Sequence, residues 1–287
     1  MTNDNAEQIA EWNGELGQRW AVMRQEIDAV VVPFGAAALR VAAPEEGDRV
    51  IDIGCGCGDT SIELARIVGK AGAVLGVDVS QPMLVVARAR CGAEAQAQLA
   101  FREADASAAP LPAGTDLLFS RFGVMFFSQP VSAFGHMRRS LRAGGRCVFV
   151  CWRAPRDNAW AMAPLSAARE ALGITPAPVD PPAPGPFAFA DDARLRATLS
   201  DAGFGAIDVQ RYDASLPLGT TPRAAAEAAM RVGPLSRLVL EVGAAHVPAI
   251  LDAVERSLAR FAAADGRVAL NGSVWIVSAA NPGSARA

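Results

Sequence analysis

The sequence predicts an α/β protein with a mostly parallel sheet and helices on both faces. Three observations carry this. Short apolar runs alternate with helical segments through the first half of the chain, as parallel strands alternate with crossover helices. The first of these runs, Asp48-Arg49-Val50-Ile51-Asp52-Ile53, passes straight into a cluster of glycines. The 287 residues, 51% of them hydrophobic, suffice for a large core.

The elements follow in order. Residues 6–43 read as helical, with Trp12 and Trp20 eight apart on one face and Pro33 and Pro44 as punctuation. Strand one leads through the glycines to a helix over 59–68. Ala73 to Asp78 reads as the second strand, and a helix follows over 82–91, with Ser80 as its cap and Pro82 in its first turn. Leu99 to Ala104 and Leu117 to Ser120 are further strands. Ser132 to Leu141 reads as a helix closed by Arg142-Ala143-Gly144-Gly145, where glycine suits a left-handed cap. Arg146 to Trp152 is the fifth strand.

The composition then shifts. Residues 173–190 hold Pro176, Pro178, Pro181, Pro182, Pro184 and Pro186, a run that is neither helix nor inner strand. It reads equally as a surface loop or as a cover over a site. Helix is expected over 191–202, strand over 209–216, and mainly helix over 223–260 with a break at Gly233-Pro234. The stretch 268–285 lacks charge and raises the question of a membrane span, but Asn271-Gly272 and Asn281-Pro282-Gly283 make it read as a closing hairpin.

Charge and composition exclude several classes. With 27 Lys+Arg against 30 Asp+Glu the net charge is −3, which argues against a nucleic-acid binder. Charged residues at 20% beside this apolar content argue against disorder. The N-terminus has neither the cationic patch nor the apolar core of a signal peptide, so a soluble, cytoplasmic protein without membrane insertion is expected. The five cysteines are odd in number and lack zinc spacing, so Cys55, Cys57, Cys91, Cys147 and Cys151 read as small buried residues and no metal is expected. No feature sets an oligomeric state.

The strongest signal is Val50-Ile51-Asp52-Ile53-Gly54-Cys55-Gly56-Cys57-Gly58, between a strand and a helix. Glycines at alternate positions allow a sharp turn and a close ligand, and the helix N-terminus can receive an anion. Asp78, at the end of the next strand, can accept ribose hydroxyls. The dinucleotide pattern G-x-G-x-x-G fails, because Asp59 stands sixth from Gly54 and Ser61 sixth from Gly56.

The spacing D-x-G-x-G-x-G resembles motif I of the class I S-adenosylmethionine-dependent methyltransferases. The resemblance extends over residues 12–152. Gly76-Val77-Asp78-Val79-Ser80-Gln81-Pro82-Met83-Leu84 is similar to the second motif, Glu103-Ala104-Asp105-Ala106 to the third, and Asp116 to Phe122 to the fourth. Leu141-Arg142-Ala143-Gly144-Gly145 resembles the family's LRPGG turn, with Ala143 for the usual Pro. Within the class the chain looks most like the ubiquinone/menaquinone-type small-molecule enzymes.

The resemblance implies a Rossmann-like, doubly wound sheet of seven strands, the last antiparallel. It divides the chain into a helical N-terminal cover (1–44), a cofactor-binding core (45–152), a Pro-rich insertion or lid (153–190) and a C-terminal half (191–287) that completes the sheet and the acceptor pocket. It implies S-adenosylmethionine as cofactor, S-adenosylhomocysteine as product, and a cofactor site made by Trp20, Asp52, Gly54, Cys55, Gly56, Asp78, Val79, Met83, Asp105, Ala106, Ser120 and Phe122.

Acceptor residues are expected at the strand ends. Phe126, Trp152, Arg153 and Trp160 suggest a small, apolar, ring-bearing acceptor, with Arg153 for an anionic group. Two His and one Tyr leave few bases: His136 reads as solvated, Tyr212 as structural, and His246 as a residue of the C-terminal helices. No catalytic base is named. Transfer by proximity to the sulfonium methyl is the expected activity. A non-catalytic cofactor-binding module is the alternative, ahead of a nicotinamide dehydrogenase.

Overall fold

The computed structural model describes residues 5–94, 97–175 and 183–283. Seven strands form one sheet in the order β3-β2-β1-β4-β5-β7-β6. They are β1 (Arg49–Ile53), β2 (Ala73–Asp78), β3 (Leu99–Glu103), β4 (Thr115–Arg121), β5 (Leu141–Trp152), β6 (Gly205–Gly219) and β7 (Val268–Ala280). β1 to β5 are parallel, and β7 runs antiparallel between β5 and β6. The expected mostly parallel, seven-stranded sheet is therefore present. β1 is buried at Val50 to Ile53 because both faces of a parallel strand are covered, which explains its unbroken apolar reading.

The helices of the first half are α1 (Ala6–Asn13), α2 (Glu15–Val22), α3 (Arg24–Ala42), α4 (Asp59–Val68), α5 (Gln81–Glu94) and α6 (Pro130–Arg138). α3 passes through Pro33 without ending. Proline costs an internal hydrogen bond, but Val31, Phe34, Ala37 and Ala38 on either side are buried against the sheet, and that packing outweighs it. Ser80 stands just before α5 and its carbonyl accepts Leu84 N–H at 3.0 Å, while its hydroxyl donates to the Trp12 carbonyl at 2.8 Å, tying α1 to the end of β2.

The second half adds α7 (Ala159–Leu172), α8 (Asp192–Asp201), α9 (Pro222–Ala229), α10 (Pro234–Val242) and α11 (Val247–Ala259). Asp191 caps α8 by accepting from Arg194 N–H, and Thr221 caps α9 through Ala224 N–H. α7, α9, α10 and α11 enclose a second apolar cluster around Ala168, Leu235, Ile250 and Leu258. Pro176, Pro178, Pro181 and Pro182 lie outside the described residues. The end of the Pro-rich run returns to the core, where Phe189 packs on Phe134 and Phe149 at ring distances of 6.0 and 6.4 Å.

Two local expectations are corrected. Arg142-Ala143-Gly144-Gly145 is not a helix cap but an irregular stretch of β5. Thr115 pairs with Leu141 and Leu117 with Arg146, so a step of two on β4 faces a step of five on β5. Asn281 stabilises the excess by donating to Leu141 O at 3.0 Å and accepting from Gly144 N–H at 2.8 Å. Nor does Asn271-Gly272 turn the chain: β7 is one strand, with Ala214 opposite Gly272. A Cβ at Gly272 would stand 2.7 Å from Leu216 Cδ1 and 2.9 Å from Phe34 Cζ, so this glycine makes room for packing. The uncharged stretch is therefore largely sheet, and no helix among the described residues is long and apolar enough to cross a membrane.

Phe34 joins α3 to the sheet. It is fully buried and meets Trp152, Phe122 and Tyr212 edge-on at 5.2, 6.0 and 6.2 Å. Phe34→Ala is expected to lower unfolding stability by about 3–5 kcal/mol in urea titration; a loss below about 1 kcal/mol would mean that α3 is not held through this ring.

Candidate active site

The strand order reverses between β1 and β4, and open α/β sheets carry their ligand crevice at such a point. A cavity of about 480 Å³ opens there, within the range of small-molecule sites. Its first wall is the turn after β1. Gly54 has φ +66° and Gly56 φ +54°, conformations that favour glycine. A Cβ at Gly54 would stand 2.6 Å from Gly123 Cα, whereas at Gly56 the nearest atom is Met83 Sδ at 3.7 Å. Cys55 also borders the cavity, and burial drives its thiol well above the ordinary range, so it is a neutral wall rather than a nucleophile.

Asp78 closes this end. Its Oδ2 accepts Gly56 N–H at 2.7 Å and its Oδ1 accepts Ser80 N–H at 2.8 Å. Burial raises its pKa against the pull of these amides. Val79, Met83, Asp105 and Ala106 border the same space. Asp105 Oδ1 takes the amide and hydroxyl of Ser107 at 2.9 and 2.7 Å, and both its oxygens take Asn5 Nδ2 at 3.3 Å.

Aromatic rings form the remaining walls. Phe122, after β4, has φ +63°, a strain of about 1–3 kcal/mol for a bulky residue. Its N–H donates to Val150 O at 3.0 Å and its ring stacks on Trp152 at 4.4 Å, and these contacts hold it there. Trp152 in turn meets Trp160 at 4.9 Å. Trp12 touches Trp20 and Phe126 edge-on at 5.5 and 5.3 Å, which brings the N-terminal helices onto the cavity.

Three residues expected at the site lie apart from it. Asp52 is wholly buried behind the glycine turn, where its Oδ2 accepts Thr60 Oγ1 at 2.7 Å and Ser61 Oγ at 2.6 Å. Ser120 is buried between strands, donating to Ile53 O at 2.7 Å and accepting Gly123 N–H at 3.1 Å. Arg153 pairs with Asp157 at 3.2 Å, donates to Ser273 Oγ at 2.8 Å and lies 4.6 Å over the Trp275 ring. None borders the cavity, because each faces the interior or a neighbouring strand.

The structure adds a charged network that the sequence reading missed. Arg24 pairs with Asp59 at 3.1 Å and Asp28 at 3.6 Å, and Arg121 pairs with Asp28 at 2.7 Å. Arg90 reaches Asp59 at 2.7 Å. Burial and the bond to Asp59 push Asp28 up to about 6 despite Arg121. Burial also works on Asp59, yet its bonds to Asp28 and Arg90 hold it below its ordinary value. The i,i+4 spacing of Arg24 and Asp28 was the available signal; their partners are distant in sequence. Neither histidine borders the cavity. His136 Nε2 and Nδ1 meet Ala109 O and Arg139, and His246 is exposed. Tyr212 packs on Phe34.

The donor set suits a nucleoside joined to an amino acid. A glycine turn and Asp78 present a backbone curve and a carboxylate; Asp105 adds a second acid; Arg24, Asp28 and Asp59 offer both signs for a zwitterion. Strand order, glycine turn and acid at the end of β2 are those of the class I methyltransferase fold. Residues 50–145 match the family described as methyltransferase domain. Aklanonic acid methyltransferase of Streptomyces sp. is 31% identical over 119 residues, 41% of this chain and 54% of the relative. A ubiquinone/menaquinone biosynthesis C-methyltransferase of Azotobacter vinelandii is 32% identical over 121 residues, 42% of this chain and 48% of the relative. The matches thus span about half the length of these curated relatives. Among solved structures, a YcgJ protein from Bacillus subtilis aligns with TM-score 0.58 and 17% identity, covering 87% of this chain and 98% of that one. Phosphoethanolamine N-methyltransferase 2 of Haemonchus contortus, in complex with S-adenosylhomocysteine, aligns with TM-score 0.53 and 18% identity over 88% of this chain and 53% of that one. Residues 50–145 thus match a methyltransferase domain, and the fold is shared with these solved structures.

Asp52 supplies a test of the buried scaffold. Burial pushes its pKa up to about 6, against the hydroxyls of Ser61 and Thr60, and its Oδ1 has no hydrogen-bond partner among the described residues. A raised carboxylate pKa favours folding while the group is protonated. As pH rises from about 4 to about 6, the unfolded chain releases the proton first and stability falls. Relative to Asp52→Asn, the wild type is expected to lose roughly 3 kcal/mol across that window, read by urea titration at each pH. A constant difference between the two proteins would show that the pKa is unshifted.

Proposed function

We propose that the protein transfers a methyl group from S-adenosylmethionine to a small, ring-bearing acceptor at oxygen or carbon. The observation that carries this is one cavity joining Gly54, Gly56, Asp78 and Asp105 to a wall of Phe122, Phe126, Trp152 and Trp160. The printed names of the relatives, methyltransferases acting in quinone biosynthesis or on aklanonic acid, support the same reading.

Each residue has a task under this proposal. The lone pairs of Asp78 not used by Gly56 and Ser80 accept ribose hydroxyls. Val79 and Met83 pack on the adenine; Asp105 and the Ala106 amide face its edge. The first turn of α4, with Arg24, Asp28 and Asp59, receives the amino-acid end. When bound, S-adenosylmethionine supplies an electrophilic methyl group on a sulfonium. The chain itself orients the acceptor and keeps water away from it with aromatic walls, and this accounts for a site without a bordering histidine or tyrosine. A cavity of about 480 Å³ and a net charge of −3 favour a small acceptor over a nucleic acid. Five free thiols, four of them buried, suit a reducing cytoplasm.

Calorimetry is expected to give micromolar binding of S-adenosylhomocysteine; no heat at millimolar ligand would overturn the proposal. Asp78→Ala is expected to weaken binding by at least about tenfold, roughly 1.4 kcal/mol, while thermal unfolding shows the variant still folded. Unchanged affinity would remove Asp78 from the ribose role. Labelled methyl transfer into a panel of phenols, quinols and aryl carboxylates separates an enzyme from a binding module.

A further inference from the structure

Six arginines border the cavity: Arg19, Arg24, Arg121, Arg169, Arg231 and Arg237. Four are accounted for. Arg24 and Arg121 pair with Asp28 and Asp59, Arg237 pairs with Glu11, and Arg19 donates to Met230 O at 3.1 Å. The side chains of Arg169 and Arg231 have neither an ion pair nor a hydrogen bond among the described residues. Arg169 Nε is buried without an acceptor. Arg102 and Arg153 also carry a bare buried Nε, but their guanidinium groups are anchored, Arg102 on Pro110 O and Arg153 on Asp157 and Ser273. Arg169 is half-buried and has no such anchor, so its Nε is left for a group that enters the cavity.

The two arginines border the same cavity as Trp160. Arg169 lies on α7, which begins with Trp160 at its second residue. Arg231 stands two residues before Gly233, where a Cβ would come within 2.9 Å of Trp160 Cζ3. Trp160 leans on Trp152, and Trp152 stacks on Phe122 beside the strand ends. Glu241, the acid of α10 that borders the cavity, is exposed and pairs with neither arginine. The site therefore offers an aromatic platform that ends in unneutralised positive charge. Arg169 and Trp160 lie on α7 and Arg231 follows α9, and none shares an element with the glycine turn or Asp78.

We propose that the methyl acceptor bears a carboxylate on its ring system and that Arg169, assisted by Arg231, binds that carboxylate while Trp152 and Trp160 pack on the ring. Guanidinium matches a carboxylate with two parallel hydrogen bonds, and low local dielectric strengthens them. The anion-reading role that the sequence suggested for Arg153 thus passes to α7. The proposal rests on the methyl-transfer reading, from which its test is separable.

The full chain loaded with S-adenosylhomocysteine is titrated with 2-naphthoate and with its neutral isostere 2-naphthamide. The wild type is expected to prefer the naphthoate by at least about tenfold. Arg169→Met should reduce the preference to roughly threefold or less without changing S-adenosylhomocysteine affinity, and Arg169→Lys should retain part of it. Arg231→Met, at an exposed position, gives a second reading should Arg169→Met fail to fold, with a smaller loss expected. Equal binding of the two probes, or a preference that survives both Met variants, overturns the proposal. So does a parallel loss of S-adenosylhomocysteine binding in Arg169→Met, which would assign the guanidinium to the cofactor. Failure of the wild type to bind S-adenosylhomocysteine at all bears instead on the methyl-transfer reading.

Discussion

The site depends on the carboxylate of Asp78. One oxygen takes the amide of Gly56, the other the amide of Ser80. Two loops from neighbouring strands are thereby tied to one buried acid, and the mouth of the crevice takes its shape from that tie. A backbone amide without a partner is costly in such a place, so the glycine turn and the acid stabilise each other. The Ser80 hydroxyl carries the tie outward to Trp12 O, and Asn13 extends it by donating to Val79 O at 2.8 Å and accepting Gln81 N–H at 3.0 Å.

The N-terminal helices are thus fastened over the strand ends at three places. Asn5 reaches Asp105 and Ser128, Asn13 reaches the turn after β2, and the Arg24–Asp28 pair reaches Asp59 and Arg121. Each fastening joins a polar group of the cover to the C-terminal edge of the sheet or the turns beside it. Between them lie Trp12 and Trp20, which turn apolar surface toward the cavity. The result is a partly covered space bordered by rings and by charged groups, in which dipoles and ions act more strongly than in bulk water. The second apolar cluster does the same from the other side, placing the segment after α9 against Trp160 of α7.

Much of this was legible in the residues. The alternation of apolar runs and helices gave the parallel sheet, since a strand covered on both faces must be apolar throughout. Gly54, Gly56 and Asp78 stood out because a sharp turn and a buried acceptor each require a particular residue type at a particular spacing. Asn271-Gly272 misled because its local turn preference is real, yet the crowding of Leu216 and Phe34 demands glycine in a straight strand. The LRPGG-like segment misled in the same way: a left-handed glycine serves a strand irregularity held by Asn281 as readily as a helix cap.

Local preference and periodicity act between near neighbours, so the sequence alone determined the fold class, the glycine turn and its acid. Which charged groups face the cavity was decided only by the tertiary structure. Arg153 is paired with Asp157 and hydrogen-bonded to Ser273, Asp52 lies behind the turn beneath Thr60 and Ser61, and Ser120 bridges two strands. Arg169 and Arg231 come instead to the aromatic wall, from segments that nothing in the sequence marked out. A guanidinium or carboxylate takes its role from the partners around it, and those partners lie far along the chain until the sheet, the cover and the C-terminal helices bring them together.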